Sequence, residues 1–279
     1  MKGCLSDHQL DLRDNGFTDD MRNPSPILIH LKGNPGLAAL IEIALLFIPA
    51  IPAYIWMWPN VSSLSLGAAN VLTYLYVLVG TVWIGRRRWT WNELGVNFKG
   101  FSLTCACASV MLIGRLMIIL SVEWQFKPPA LTFWKLIGDI LFYFCLVALV
   151  EELLFRGLVF LALDRWLGSR WAILGSSFGF MLWHIFGHGI LIGITSFFIG
   201  LIFALIRSRS GGITGLILFH GLWDLQTTLL VASSNTAILE QLPPVISYPG
   251  WLRLGTMLLV LTPFYLWLIH PRFSRRKPR

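Results

Sequence analysis

From residue 35 onward, apolar runs of about 20 residues alternate with short polar or basic connectors, and runs of that length match the hydrocarbon core of a bilayer. They predict helices over about 36–58, 65–85, 101–122, 134–165, 170–188, 189–207, 212–232 and 251–270. The expected fold class is therefore all-α: a polytopic membrane bundle of about eight transmembrane helices. The fourth run is long for a span and contains Asp139, Glu151 and Glu152, so it is expected to tilt or to begin as an interfacial segment, and to break at Leu167-Gly168. Residues 1–35 mix Asp7, Asp11, Asp14, Asp19 and Asp20 with Lys2, Arg13, Arg22 and Lys32. They lack the apolar stretch and small-residue cleavage site of a signal peptide and read as a flexible cytoplasmic tail.

Composition sharpens this reading. Of 279 residues, 56% are hydrophobic and 13% charged, where a soluble globular domain carries roughly 25% charged residues. An ordinary soluble enzyme is excluded. The formal charge of +8 comes from 22 Lys and Arg, and their placement is topological. With the N-terminus inside, only Lys127, Lys135 and Arg253 fall outside, Arg115 and Arg156 lie within spans, and the others face the cytoplasm. Both termini are thus expected inside, in a multi-pass protein of the cell membrane. The basic tail 271–279 would lie on anionic headgroups, so the charge requires no nucleic-acid partner.

The domain reading is one helix bundle over 36–270, flanked by the two tails, with 233–250 and its three prolines as an external loop. No long internal repeat is visible. Gly175-x3-Gly179 and Gly189-x3-Gly193 read as close-packing pairs. Cys4, Cys105, Cys107 and Cys145 have no zinc-type spacing and read as packing residues.

Ionisable side chains within spans are costly, about 2.5–3.5 kcal/mol each at the helix centre on insertion scales, and so mark function. In Val150-Glu151-Glu152-Leu153-Leu154-Phe155-Arg156, Glu152 and Arg156 are four apart in the favourable order for a helical ion pair, with Glu151 rotated away and locally unpaired. Glu152 and Arg156 then read as a structural clamp and Glu151 as a general base. His184 lies on the fifth run, while His220 and Asp224 share one face of the seventh. Counted from Arg165, Arg170 and Arg209, these four side chains sit roughly 16–22 Å from the inner surface at about 1.5 Å per residue, a common depth on three helices. His188, at the outer end of its span, is a weaker candidate. Asp139 and Arg115 read as helix partners or water-facing groups, and Glu42 has no evident partner in the sequence.

The series Glu151-Glu152-x3-Arg156, Phe180-x3-His184 and His220-x3-Asp224 resembles the CPBP family of intramembrane proteases, which includes the CAAX prenyl endopeptidases and the Abi and bacteriocin-processing or self-immunity proteins. The likeness covers about 75 residues within a core of about 134–232. It implies an eight-helix membrane glutamic endopeptidase. Glu151 and His184 would activate a water, His220 and Asp224 would serve the oxyanion, and Glu152 with Arg156 would support the site. Position 224 departs from the Asn of the prenyl proteases, and an ionised Asp has no proton to donate. Asp224 therefore either stays protonated or orients His220.

The expected partners are the bilayer and a membrane peptide or lipid-anchored protein substrate, with no cofactor. A zinc-dependent metalloprotease using His184, His220, Glu151 and Asp224 is one alternative, although no His-Glu-x-x-His pair is present. A non-catalytic self-immunity or scaffold protein is another. A proton-coupled transporter would also bury such groups, but neither repeat halves nor a broken helix pair support it.

Overall fold

Asn34 starts the first described helix. Its side-chain oxygen accepts from the backbone N–H groups of Gly36 and Leu37, both at 3.1 Å, and Pro35 follows in the first turn, where no hydrogen bond is needed. The computed structural model describes residues 33–48, 63–122 and 132–230, without the side chains of 63–67, 118–122 and 227–230. The elements are α1 (Pro35–Phe47), α2 (Ser63–Arg86), α3 (Phe101–Val122), α4 (Phe133–Phe142), π1 (Tyr143–Ala148), α5 (Leu149–Glu151), π2 (Glu152–Val159), α6 (Phe160–Leu167), α7 (Ser169–His188), α8 (Ile190–Ser210) and α9 (Thr214–Leu230). Among the described residues there is no strand.

The expected helices from 36–58 to 212–232 all have counterparts here, the first only over its first half. The helix at 251–270, the loop 233–250 and both tails lie outside the described residues. Two described helices, Ala68–Arg86 and Ile190–Ser210, are long and apolar enough to cross a membrane, fewer than the eight spans expected. Pro35–Phe47 and Phe101–Met117 are apolar but shorter, and Ser176, Ser177, His184 and His188 dilute α7. Large apolar side chains stand outward on successive helices, among them Leu72, Val79, Ile113, Phe178 and Ile190, while charged Glu151, Glu152 and Arg156 are buried. That inversion of the soluble pattern suits a lipid-facing bundle.

The run from Phe133 to Leu167 is helical throughout but is interrupted by the two wider π segments. It ends at the expected break, where Gly168 has φ 87°. Gly189, at φ 86°, likewise turns α7 into α8. Both conformations are left-handed and favour glycine, so Gly189 serves as a corner rather than as half of a packing pair. Its expected partner Gly193 does sit in close packing, against Ile185 and the Met181 carbonyl.

The α7–α8 hairpin packs on the long helical run, α1 lies along α6, and α9 lies along π1 and α3. A cluster around Ile202, Phe203, Ile206, Ile213 and Phe219 fills the space beneath α8 and α9. A second, around Val77, Ile84, Leu94, Leu154 and Leu158, joins α2 to the long run. The connector after α2 is tied down as well. Thr90 and Glu93 bond reciprocally, with the Thr90 N–H and hydroxyl each 2.9 Å from Glu93 Oε2, which holds the Glu93 carboxyl below its usual range. Buried Arg207 reaches across to the carbonyls of Glu93 and Arg156.

Several sequence expectations change here. Glu42 pairs with Arg88 at 2.5 Å, so it does have a partner. Asp139, by contrast, is the helix partner it was expected to be, paired with Lys135 on its own helix. Cys107 is buried, as a packing residue should be, but Cys145 is exposed. A Cβ on Gly36 would run into the backbone carbonyl of Ala162, so α1 and α6 approach closely at that point. Gly36→Ala is expected to lower stability by about 1–3 kcal/mol, since backbone cannot yield as a side chain can. A thermal unfolding midpoint in detergent or lipid unchanged from wild type would refute this contact.

Candidate active site

The two π segments flank the three-residue α turn that ends at Glu151, and Glu152 opens the second of them. Such insertions are frequent at functional positions and are invisible to hydropathy. Arg156 Nη1 donates to Glu152 Oε1 at 3.0 Å, and neither side chain is exposed. The guanidinium also lies over the Phe180 and Phe203 rings, 4.1 and 5.0 Å from their centroids. The same Glu152 oxygen is 2.8 Å from His220 Nδ1. A carboxylate offers no proton, so the imidazole hydrogen on Nδ1 is donated to it, which leaves Nε2 facing the other way. Glu152 thereby ties the ion pair to α9.

Glu151 is 3% exposed and is held by two other helices: α2, which the sequence did not connect to it, and α7, which it connected only through His184. Tyr74 of α2 donates its hydroxyl to Glu151 Oε1 at 2.7 Å, and Trp183 of α7 donates its indole N–H to the same oxygen at 3.0 Å. Among the described residues Oε2 has no hydrogen-bond partner. It lies 3.7 Å from His220 Nε2, which is in turn 3.5 Å from Asp224 Oδ2. These separations exceed direct N–H···O bonds. The Asp224 side chain is 23% exposed, so the cluster reaches the molecular surface on its side.

The remaining candidates line the edge. His184 donates from Nδ1 to the Phe180 carbonyl at 2.9 Å, leaving Nε2 with its lone pair in the neutral ring. Its ring packs on Phe180, 4.4 Å between centroids, and Phe180 contacts the His220 ring at 6.0 Å. The hydrogen-bond partners of Glu151 are therefore Tyr74 and Trp183, and both His184 and His220 interact with its carboxylate electrostatically. His188 is exposed, 5.9 Å from the His184 ring. Arg115 of α3 is a helix partner rather than a water-facing group: it donates to the Trp223 carbonyl of α9 and lies 4.1 Å over the Trp223 ring, next to Asp224. For the zinc alternative, no group of three or more His, Cys, Asp or Glu among the described residues is arranged to hold a metal ion.

Thus the structure gathers Glu151, Glu152, Arg156, His220 and Asp224 into one network from the long run and α9, with His184 beside it. Tyr74, Trp183 and Arg115 complete the surroundings. Trp183 adjoins His184 in sequence and could have been suspected from that. Tyr74 gives no such signal, since a single Tyr in an apolar run is ordinary.

Comparison with known families bears directly on this cluster. Residues 133–226 match the family described as type II CAAX prenyl endopeptidase Rce1-like. No curated protein and no solved structure matches the chain. The Rce1-like segment runs from the start of α4 into α9 and contains all seven residues named in the three motifs, so the CPBP and CAAX-protease resemblance holds over this part of the chain. Tyr74 and Arg115 lie outside it. The network around the Rce1-like residues is closed by side chains from the preceding helices α2 and α3.

Proposed function

We propose that the protein is an intramembrane endopeptidase of the CAAX-protease type, hydrolysing a peptide bond in a lipid-anchored or membrane-associated peptide. The observation that carries this reading is Glu151 Oε2, an oxygen of a buried carboxylate with no hydrogen-bond partner among the described residues, turned toward His220 Nε2 and Asp224. Hydrolysis needs a base on water, an acid for the departing amine and a donor where the carbonyl oxygen gains charge. Glu151 Oε2 takes the water proton as the water oxygen attacks the carbonyl carbon. The neutral Nε2 of His184 relays a proton at the rim, and the proton is returned to the leaving nitrogen as the C–N bond breaks. His220, protonated at Nε2, donates to the oxyanion. Asp224 keeps that imidazolium oriented, because an ionised Asp cannot itself donate. Glu152 and Arg156 fix His220 from behind.

The test is cleavage of a fluorogenic peptide ending in a prenylated cysteine and three further residues, beside its unprenylated twin, by purified protein in lipid. The expected result is cleavage that persists with a strong chelator and in Asp224→Asn. Loss with chelator and recovery on adding zinc would replace the glutamic mechanism by a metal-dependent one. Cleavage of the unprenylated twin at an equal rate would remove the lipid anchor from the substrate definition.

A further inference from the structure

Resting on the protease reading, we infer that Tyr74 and Trp183 are positioning residues that hold Glu151 Oε1 so that Oε2 alone acts on the water. Two donors from two different helices, Tyr74 Oη and Trp183 Nε1, converge on this one oxygen. The other oxygen faces His220 Nε2 at 3.7 Å. A free carboxylate would exchange its two oxygens by rotating about its last torsion, and a broad torsion of that kind has no strong preference of its own. The two donors remove that freedom. Placement of this quality is worth large rate factors, because a reacting group must be held close to its productive geometry.

The donors are themselves fixed. The Tyr74 and Trp183 rings meet edge to face with centroids 6.0 Å apart. Tyr74 also packs on Phe142 at 6.3 Å, and Trp183 on Phe155 at 6.4 Å. Each aromatic body is therefore packed against the long run and against the other, with its polar atom on Glu151 Oε1, and the Trp183 side chain also bonds to Tyr74. Tyr74 lies on α2, outside the Rce1-like segment, so α2 contributes to the site as well as to packing. A charged oxygen accepting a neutral hydroxyl makes the stronger kind of hydrogen bond.

The experiment uses the full chain in lipid with the prenylated fluorogenic peptide. Tyr74→Phe keeps the ring and removes only the donor, and kcat is expected to fall about tenfold to a hundredfold with KM within about twofold, as for loss of one hydrogen bond to a charged group. Trp183→Phe should act in the same sense. Replacing Tyr74 by p-aminophenylalanine returns a donor at the same place and should recover most of the lost kcat, which a purely packing role would not predict. If Tyr74→Phe leaves kcat within about twofold of wild type, or the amino analogue is no better than Phe, the inference fails while the protease reading stands. If wild-type protein cleaves neither peptide, the protease reading fails and this inference with it.

Discussion

Glu151→Gln should abolish peptide cleavage while leaving the protein at wild-type levels in the membrane. Removal of a general base costs about a hundredfold to ten-thousandfold in rate. Gln is the informative replacement because it retains the shape of Glu and one carbonyl oxygen. That oxygen can still accept from Tyr74 and Trp183, so the contacts from α2 and α7 survive. What is lost is the basic oxygen facing His220. Burying a neutral amide in place of a carboxylate also lowers the desolvation cost, so the fold has no reason to suffer. The measurement is kcat/KM in lipid together with quantitative immunoblotting of the membrane fraction. Activity above one-tenth of wild type would remove Glu151 from the chemistry. If instead the protein confers immunity to a membrane-active peptide and Glu151→Gln leaves that immunity intact, the binding-only alternative gains.

The helices and their order were legible because lipid enforces one rule on every span, a long apolar run, and that rule is written in composition. The Glu152–Arg156 pair was legible because it lies within one helix, where spacing translates directly into geometry. The depth match among Glu151, His184, His220 and Asp224 rested on counting residues from basic connectors, and the helices do bring Glu151, His220 and Asp224 together. His184 stands beside them, packed on Phe180 and interacting electrostatically with Glu151 and His220. What escaped the sequence was whatever depends on contacts between distant helices. Nothing near Glu42 announces Arg88, and nothing near Glu151 announces Tyr74. The π segments escaped for another reason. A widened turn leaves the apolar pattern unchanged, so hydropathy gives no sign of it, although the i,i+4 pairing of Glu152 with Arg156 survives within it.

The second large effect is expected on stability. Glu152→Ala and Arg156→Ala should each lower membrane abundance and stability, by about 3–5 kcal/mol, because each deprives the opposite buried charge of its ion-pair partner. Neither side chain has any exposure, so no relief comes from solvent. The two losses should differ in kind. Arg156→Ala leaves Glu152 with His220 as its remaining partner at 2.8 Å, and a protonated His220 can compensate in part. Glu152→Ala strands Arg156 between the Phe180 and Phe203 rings, which attract its charge but accept no hydrogen bonds. It also releases His220 Nδ1, so any protein that does fold should lose the fixed imidazole and much of its cleavage. Replacing both residues by Met removes both charges at once and should recover part of the lost stability, since an apolar pair of similar volume avoids the desolvation cost entirely. Activity should not return with it, because His220 would still lack the carboxylate that sets its hydrogen on Nδ1. Wild-type abundance in both single Ala variants would show that the pair does not clamp the fold. Recovery of both stability and cleavage in the double Met variant would show that Glu152 has no part in directing His220.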